Sequence, residues 1–326
     1  GPQRDDRAGL TLSGHLDVVP AEEPGWSHDP FAMKSDDRAH SGRGTADMKG
    51  FLALAVALAR RLDPDSLGAP LALLLTRDEE VGTLGARDLV RAWDERPPLP
   101  RATIIGEPTS LQAVRLHKGH ARFRLELFGK SAHSGYPHLG RNAIEHAGRA
   151  ITALSELRRE LEAERSPQSP FFPEVPFVPL NVGTVSGGSA INVVPEGCTM
   201  AFGLRALPGV DTEALFARVH RRLAEVLPED AYRCELLDES PPMATDKEAP
   251  IHRCLCDLLG QEHRDHSVSY ATDGGWLQQL DLDCVIWGPG SIEVAHRPNE
   301  FIPRDELAKA EGLLERLVQL HCLEQH

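Results

Sequence analysis

Three short apolar runs near the N-terminus, "GLTLSG", "APLALLLT" and "RATIIGE", are separated by two stretches of helical character, "MKGFLALAVALARRL" and "LGARDLVRAW". Strands joined by helices pair in parallel, because a crossover is needed to bring the chain back to the same end of the sheet. The first third therefore reads as an α/β sheet. The tail resumes the theme: "APIHRCLCDLLGQE" is helical, "LDCVIWGPG" is a strand, and "RDELAKAEGLLERLVQLHCLE" is a closing amphipathic helix.

The middle follows a different pattern. "ARFRLELFG" alternates like a half-solvated strand, "GRNAIEHAGRAITALSELRRELEAE" is a long helix, and "PLNVGTVSG" and "GCTMAFGLRAL" are strands. "VDTEALFARVHRRLAEVL" is a second helix with Asp211 as its N-cap, and "AYRCELLD" is a last strand. The order βαββαβ is a ferredoxin-like unit. The fold class expected is thus a discontinuous α/β domain, residues 1–111 and 237–326, interrupted by an inserted ferredoxin-like domain over 112–236. The Pro-rich piece "SPQSPFFPEVPFVP" is a loop inside the insertion.

In an open α/β sheet, ligands bind beyond the carboxyl ends of the strands. After "LTLSG" come His15 and Asp17; after "LALLLT" come Asp78, Glu79 and Glu80; after "ATIIG" comes Glu107; beyond "CVIWGPG" comes His296. Asp47, in "GRGTADMKG", precedes the first helix. Singly each has an ordinary reading: an Asp before a helix is an N-cap, and an acid after a strand is a solvated turn residue. Together, two imidazoles and several carboxylates on one sheet edge make a nitrogen and oxygen ligand set suited to zinc. Glu79 and Glu80 are adjacent, and neighbouring residues at a strand's end face different ways, so one can face a metal while the other faces water.

Composition narrows the partners. With 326 residues, 35 basic side chains and 49 acidic ones, the formal charge of -14 argues against nucleic acid or an anionic membrane and favours a small molecule. The six cysteines, Cys198, Cys234, Cys254, Cys256, Cys284 and Cys322, contain no CxxC pair, so ordinary buried thiols are expected. No run suits a membrane span and no basic-then-apolar leader opens the chain, which leads to the expectation of a cytoplasmic protein. The Gly-rich "SGGSA" lacks the Lys and helix of a phosphate loop.

The stretches "LSGHLDVVP", "GRGTADMKGFLA", "TRDEEVGTLGA", "IIGEPTS", "GKSAHSGYPHLGRNAIEHA", "GGSAINVVPE" and "GPGSIEVAHRPNEF" resemble, in order and spacing, the motifs of the aminoacylase and carboxypeptidase family of di-zinc hydrolases, nearest its acetylornithine deacetylase branch. The resemblance runs from about residue 9 to the C-terminus. It implies a zinc-peptidase-like catalytic domain, with the inserted domain as a lid and homodimerisation element. By that resemblance His15, Asp47 and Glu107 bind one zinc ion, Asp47, Glu80 and His296 bind a second, and Asp47 bridges. Cobalt or manganese could substitute. Glu79 is implied as general base, Asp17 as the partner orienting a ligand imidazole, and His133 as an oxyanion donor that reaches across a dimer interface in related enzymes. Arg205 and Asn192 match positions that hold a substrate α-carboxylate and nearby polar groups. The peptide after Asp47 is implied to be cis.

Charge bookkeeping agrees with that ligand set. Two divalent ions are neutralised by three ligand carboxylates and one hydroxide, which lets the site sit in a cleft without a large desolvation cost. The implied reaction is hydrolysis of an N-acyl amino acid, with N-acetylornithine as the best single substrate. Motif order does not separate this from a diaminopimelate desuccinylase, an acetylcitrulline or acetyllysine deacetylase, or a dipeptidase or carboxypeptidase. A non-catalytic binding relative would not need Glu79. Lys118 in "HKG" and Thr272 and Asp273 in "YATDGGW" are expected to line the pocket, and hinges are expected near 111–113 and 236–242. Relatives carry a longer segment before "SGHLD", so a fragment or an unusually short gene product is expected.

Overall fold

The computed structural model describes residues 7–94, 96–262 and 266–323. The chain divides into two compact units: Gly1–His117 with Met243–Val268 and Thr272–His326, and Lys118–Pro242 with Ser269–Ala271. The sequence places the corresponding crossings at 112 and 236.

Along the chain, the first unit opens with β1 (Leu10–His15), short β2 (Lys34–Ser35) and β3 (Ala39–Ser41), α1 (Gly50–Arg61), β4 (Leu71–Thr76), α2 (Leu84–Arg91), β5 (Ala102–Ile105) and β6 (Leu116–His117). The second unit holds β7 (His120–Phe128), β8 (Ala132–His133), α3 (Ala143–Ala163), β9 (Leu180–Gly187), β10 (Val193–Val194), β11 (Gly197–Leu204), α4 (Thr212–Val226) and β12 (Tyr232–Ser240). The first unit resumes with β13 (Met243–Ala244), α5 (Pro250–Leu259), β14 (Ser267–Val268), α6 (Gly274–Leu277), β15 (Asp283–Ile286), β16 (Phe301–Pro303) and α7 (Arg304–His321).

The main sheet of the first unit is parallel throughout, in the order β15-β5-β1-β4. Its strands β1, β5 and β15 are buried along nearly their whole length because helices cover both faces. Ile104 pairs with Val285 and Ile105 with Ile286. Ile104 and Val285 join a core with Phe51, Leu255 and Leu314, whereas Ile105 and Ile286 join another with Leu74, Met243 and Leu277. One step along a strand thus changes the face. Helix α1 buries Phe51, Leu52, Ala55 and Leu58, a stripe at helical spacing. Burial of the Phe51 side chain alone contributes about 1.5–3 kcal/mol.

In the second unit the antiparallel order is β12-β7-β11-β9. Counted along the chain among the four strands of this sheet, these are the fourth, first, third and second, the ferredoxin-like arrangement expected from βαββαβ. Strand β7 buries Ala121, Phe123, Leu125 and Leu127 in strict alternation. Helix α3 begins where Asn142 Oδ1 accepts from the Ile144 and Glu145 amides, at 2.9 and 3.3 Å. Helix α4 is capped by Asp211, which accepts from Ala214 N at 3.0 Å, and buries Leu215, Val219 and Leu223 at four-residue intervals. The Pro-rich loop lies within this unit. No helix among the described residues is long and apolar enough to cross a membrane.

Candidate active site

Strand β1 connects through α1 to β4 on one side, and β4 connects through α2 to β5 on the other. The connections diverge at the carboxyl ends of β1 and β5, a switch point where an open α/β sheet leaves a crevice. His15 ends β1, and Glu107 follows β5 by two residues. Both are buried. Strand order and strand ends together therefore place an imidazole and a carboxylate at this crevice.

Asp47 arrives by another route. It sits in a turn, Thr45–Lys49, that leads into α1, with the non-helical dihedrals φ -120° and ψ 91°, and the Asp47–Met48 peptide is cis, as the family resemblance implies. The N-cap of α1 is Lys49, without a side-chain cap, so the ordinary N-cap reading of Asp47 is excluded. The turn needs Gly44 at φ 81°, where a Cβ would lie 2.6 Å from Val18 Cγ1. Gly14 likewise leaves room for Met48, whose Cε would be 2.2 Å from an added Cβ.

The result is a chain of close contacts. His15 Nε2 lies 3.0 Å from Asp47 Oδ1, and His296 Nε2 lies 3.1 Å from Asp47 Oδ2 and 3.0 Å from Glu80 Oε2. His15, Asp47 and Glu107 each offer a ligand atom within 4.8 Å of the others, and so do Asp47, Glu80 and His296. Asp47 belongs to both groups. His15 Nδ1 is 2.9 Å from the Asp17 carbonyl oxygen and 3.6 Å from Asp17 Oδ1, which fixes the ring with Nε2 toward Asp47.

Electrostatics test whether the site suits metal ions. Burial works to lower the His15 pKa, but hydrogen bonds to Asp17 and Asp47 and the Glu107 charge outweigh it and raise it. Hydrogen bonds to Asp47 and Glu80 push His296 up to about 10. Burial, reinforced by neighbouring carboxylates, raises Glu79 and Glu107. Asp47 is lowered: burial opposes this, and hydrogen bonds from both imidazoles prevail. Carboxylates crowd here beyond what two imidazoles can offset, and the donors are nitrogen and oxygen atoms aimed at shared points. Divalent cations fit that donor set.

The adjacent acids Glu79 and Glu80 do not sit on the strand. Strand β4 ends at Thr76, and the acids lie in the following turn, where the Gly82 and Thr83 amides donate to the Glu79 carbonyl oxygen at 2.9 and 2.8 Å. Their separate directions come from this turn and not from strand alternation. Asp17 Oδ2 accepts from Glu80 N at 3.0 Å, and Asp17 is lowered to about 2, with burial opposed by the His15 hydrogen bond and the Glu80 and Glu79 amides. Buried Asp273 accepts from Thr76 Oγ1 at 2.6 Å, and its Oδ1 has no hydrogen-bond partner among the described residues.

Within the second unit, His133 and Val193 pair across β8 and β10, and Ser134 N donates to the Asn192 carbonyl at 3.0 Å, so His133 and Asn192 are neighbours. Arg205 follows β11, and its Nη1 donates to the Ser269 carbonyl at 3.4 Å. Lys118 is a buried brace: Nζ donates to the Val175 and Phe177 carbonyls at 2.6 and 3.0 Å and lies 5.3 Å from the Phe172 ring centroid, all within the Pro-rich loop. The sequence reading assigned no role to Glu300 or Arg43. Glu300 is within the quoted "HRPNEF" and Arg43 within "GRG", but nothing in those letters marks them as buried.

The sequence profile described as peptidase family M20/M25/M40 matches residues 11–320. The chain belongs to this family. Acetylornithine deacetylase of Pasteurella multocida is 36% identical over 98% of this chain and 82% of its own length, and that of Edwardsiella ictaluri is 35% identical over 96% and 80%. Among solved structures, an M20 family metallo-carboxypeptidase from Sulfolobus solfataricus superposes with a TM-score of 0.78 at 20% identity, covering 97% of this chain and 85% of that one. A dinuclear metal-binding M20 peptidase from Bacillus subtilis gives 0.64 at 17% identity, covering 97% and 82%. Both share the overall fold of this chain, the α/β domain with an inserted domain expected from the sequence. This M20 protein is a metal-dependent hydrolase of linear amide C–N bonds.

Proposed function

We propose that this M20 hydrolase removes the acyl group from an N-acyl amino acid, with N-acetylornithine as substrate and a role in arginine biosynthesis. The observation that carries the reading is the pair of overlapping ligand groups sharing Asp47, with the charges of Glu107, His15 and Asp47 acting on Glu79, in a chain that is 36% identical to acetylornithine deacetylase of Pasteurella multocida. His15, Asp47 and Glu107 would hold one zinc ion and Asp47, Glu80 and His296 a second, with cobalt or manganese able to replace zinc. When bound, such ions polarise the acyl carbonyl and favour deprotonation of water.

The chain's own residues supply the rest. Glu79 takes a proton from the attacking water as its oxygen bonds to the acyl carbon, then gives that proton to the amine nitrogen as the C–N bond breaks. Acetate and ornithine leave. Asp17 keeps the His15 ring oriented and holds the turn that carries Glu79. His133 donates to the oxygen on which negative charge develops. Arg205 pairs with the substrate α-carboxylate and Asn192 binds the adjoining polar groups.

The inserted domain is read as the lid and the homodimer contact. Strand β9 supports this, since it is an edge strand with Val185 exposed, and open edges invite pairing. Sedimentation at the monomer mass would remove it. The six free thiols support a reducing, cytoplasmic setting.

The deciding experiment is kcat/KM after zinc or cobalt loading across N-acetylornithine, N-acetylcitrulline, N-succinyl-diaminopimelate and dipeptides. N-acetylornithine should lead the series by at least tenfold. Turnover confined to dipeptides would sink the deacetylase reading, and no turnover of any member would favour a binding role.

A further inference from the structure

The Asp47 turn is held from behind by one buried carboxylate. Glu300 is 1% exposed, and its hydrogen bonds among the described residues run to residues 42–47. Oε1 accepts from the Ala46 and Asp47 amides at 2.9 and 3.1 Å, and Oε2 accepts from the Gly44 amide at 3.1 Å and Arg43 Nη1 at 2.9 Å. The Glu300 carbonyl also accepts from Gly42 N at 2.9 Å. Arg43 is itself buried, stacks 5.1 Å from the Trp26 ring centroid, and pairs at its far end with Glu23.

Three amides and one guanidinium occupy the lone pairs of this carboxylate, so its desolvation is compensated and its position fixed. The same segment carries His296 four residues earlier, at φ 59°, with Asn299 at φ 61° anchoring the chain through its Nδ2 bond to the Gly25 carbonyl at 2.9 Å. Glu300 therefore joins the backbone that positions Asp47 to the segment that bears His296.

We propose that Glu300 is a positioning residue that orders the Asp47 turn before metal binds, so that the ligand shared by both groups is presented without a folding cost at the moment of binding. This rests on the reading of Asp47 as a ligand to both ions. Because carboxylates that orient a ligand typically change metal affinity by about 10–100-fold when replaced, an effect of that size is expected here.

Zinc affinity is measured by chelator competition on full-length Glu300→Gln, with circular dichroism as the check on folding. Gln keeps one acceptor oxygen but turns an NH2 toward the Gly44 amide and Arg43, both donors. Both zinc affinities should fall tenfold or more in the folded variant, while Glu23→Gln, at the outer end of the same network, stays within twofold of wild type. Affinities within twofold for folded Glu300→Gln, or an equal loss in Glu23→Gln, would overturn the proposal.

Should Glu300→Gln not fold, amide hydrogen exchange of the wild-type protein decides. Slow exchange at Ala46 and Asp47 without zinc, within threefold of the zinc-loaded rate, supports the proposal; fast exchange that slows only on loading overturns it. Asp47→Ala separates the two readings. If it binds zinc at both sites as wild type does, the ligand assignment fails whatever Glu300 does.

Discussion

His15 Nε2 lies 3.0 Å from Asp47 Oδ1, although the two residues reach that point from a strand end and from a turn before a helix. His296 approaches the other Asp47 oxygen at 3.1 Å. The two imidazoles are thus separated by one carboxylate, and each belongs to its own ligand group. His15→Ala and His296→Ala should each retain one zinc per chain by elemental analysis and lose more than about 100-fold in kcat, since ligands exceed the 10–100-fold effect of the groups that orient them. Two zinc ions retained in either variant would count against the assignment.

The Asp17 carboxylate lies 3.6 Å from His15 Nδ1 and accepts from Glu80 N at 3.0 Å, while its carbonyl oxygen, at 2.9 Å, is the hydrogen-bond partner of the His15 ring. Asp17→Asn replaces a charged acceptor with a neutral one, and kcat should drop by about 10–100-fold with zinc still bound. Full activity would mean that the turn holds itself.

Arg205 tests substrate binding separately from chemistry. A Lys cannot reproduce two parallel bonds to a carboxylate. Arg205→Lys should raise KM by at least about tenfold, the low end of a charge-assisted hydrogen bond of about 1.5–3 kcal/mol, with kcat within threefold. A change confined to kcat would remove Arg205 from the binding role.

Lys118, in the second unit, gives a pH dependence of its own. Burial, assisted by the Arg205 charge, lowers its pKa to about 8 from the usual 10.5. Between those values the unfolded chain binds more protons at this site than the folded one, so the contribution to stability rises with pH. Below about 8 both states are protonated and the contribution is flat. Denaturant unfolding at pH 7.5, 8.5 and 9.5 should therefore move the difference between wild type and Lys118→Met in favour of wild type as pH rises. A difference that moves the other way contradicts the assignment.

The sheet and the strand ends that carry the two candidate ligand groups were legible because parallel strands and crossover helices fix where polar residues can leave a core. His15, Glu107, Glu80 and His296 follow apolar strands, and the helical stretches between them force the strands into parallel order. Asp47 was legible only through its motif, since spacing alone suggests an N-cap and Lys49 holds that place. Glu79 and Glu80 separate through a turn after Thr76, with Asp78 at φ 55°, a backbone conformation that no alternation pattern encodes. Glu300 and Arg43 were hidden for a different reason. Lone charges in polar stretches read as solvated, and only the fold brings three amides and a guanidinium onto one carboxylate.

Proton transfer by Glu79 is the step on which the proposed chemistry depends, and one variant isolates it. Glu79→Gln keeps the size of the side chain and removes its ability to accept a proton. Two zinc ions per chain should remain, with KM within about threefold and kcat lowered by about 10²–10⁴-fold, the range typical of a lost general base. A kcat within tenfold of wild type, measured on the variant carrying two zinc ions, would contradict it.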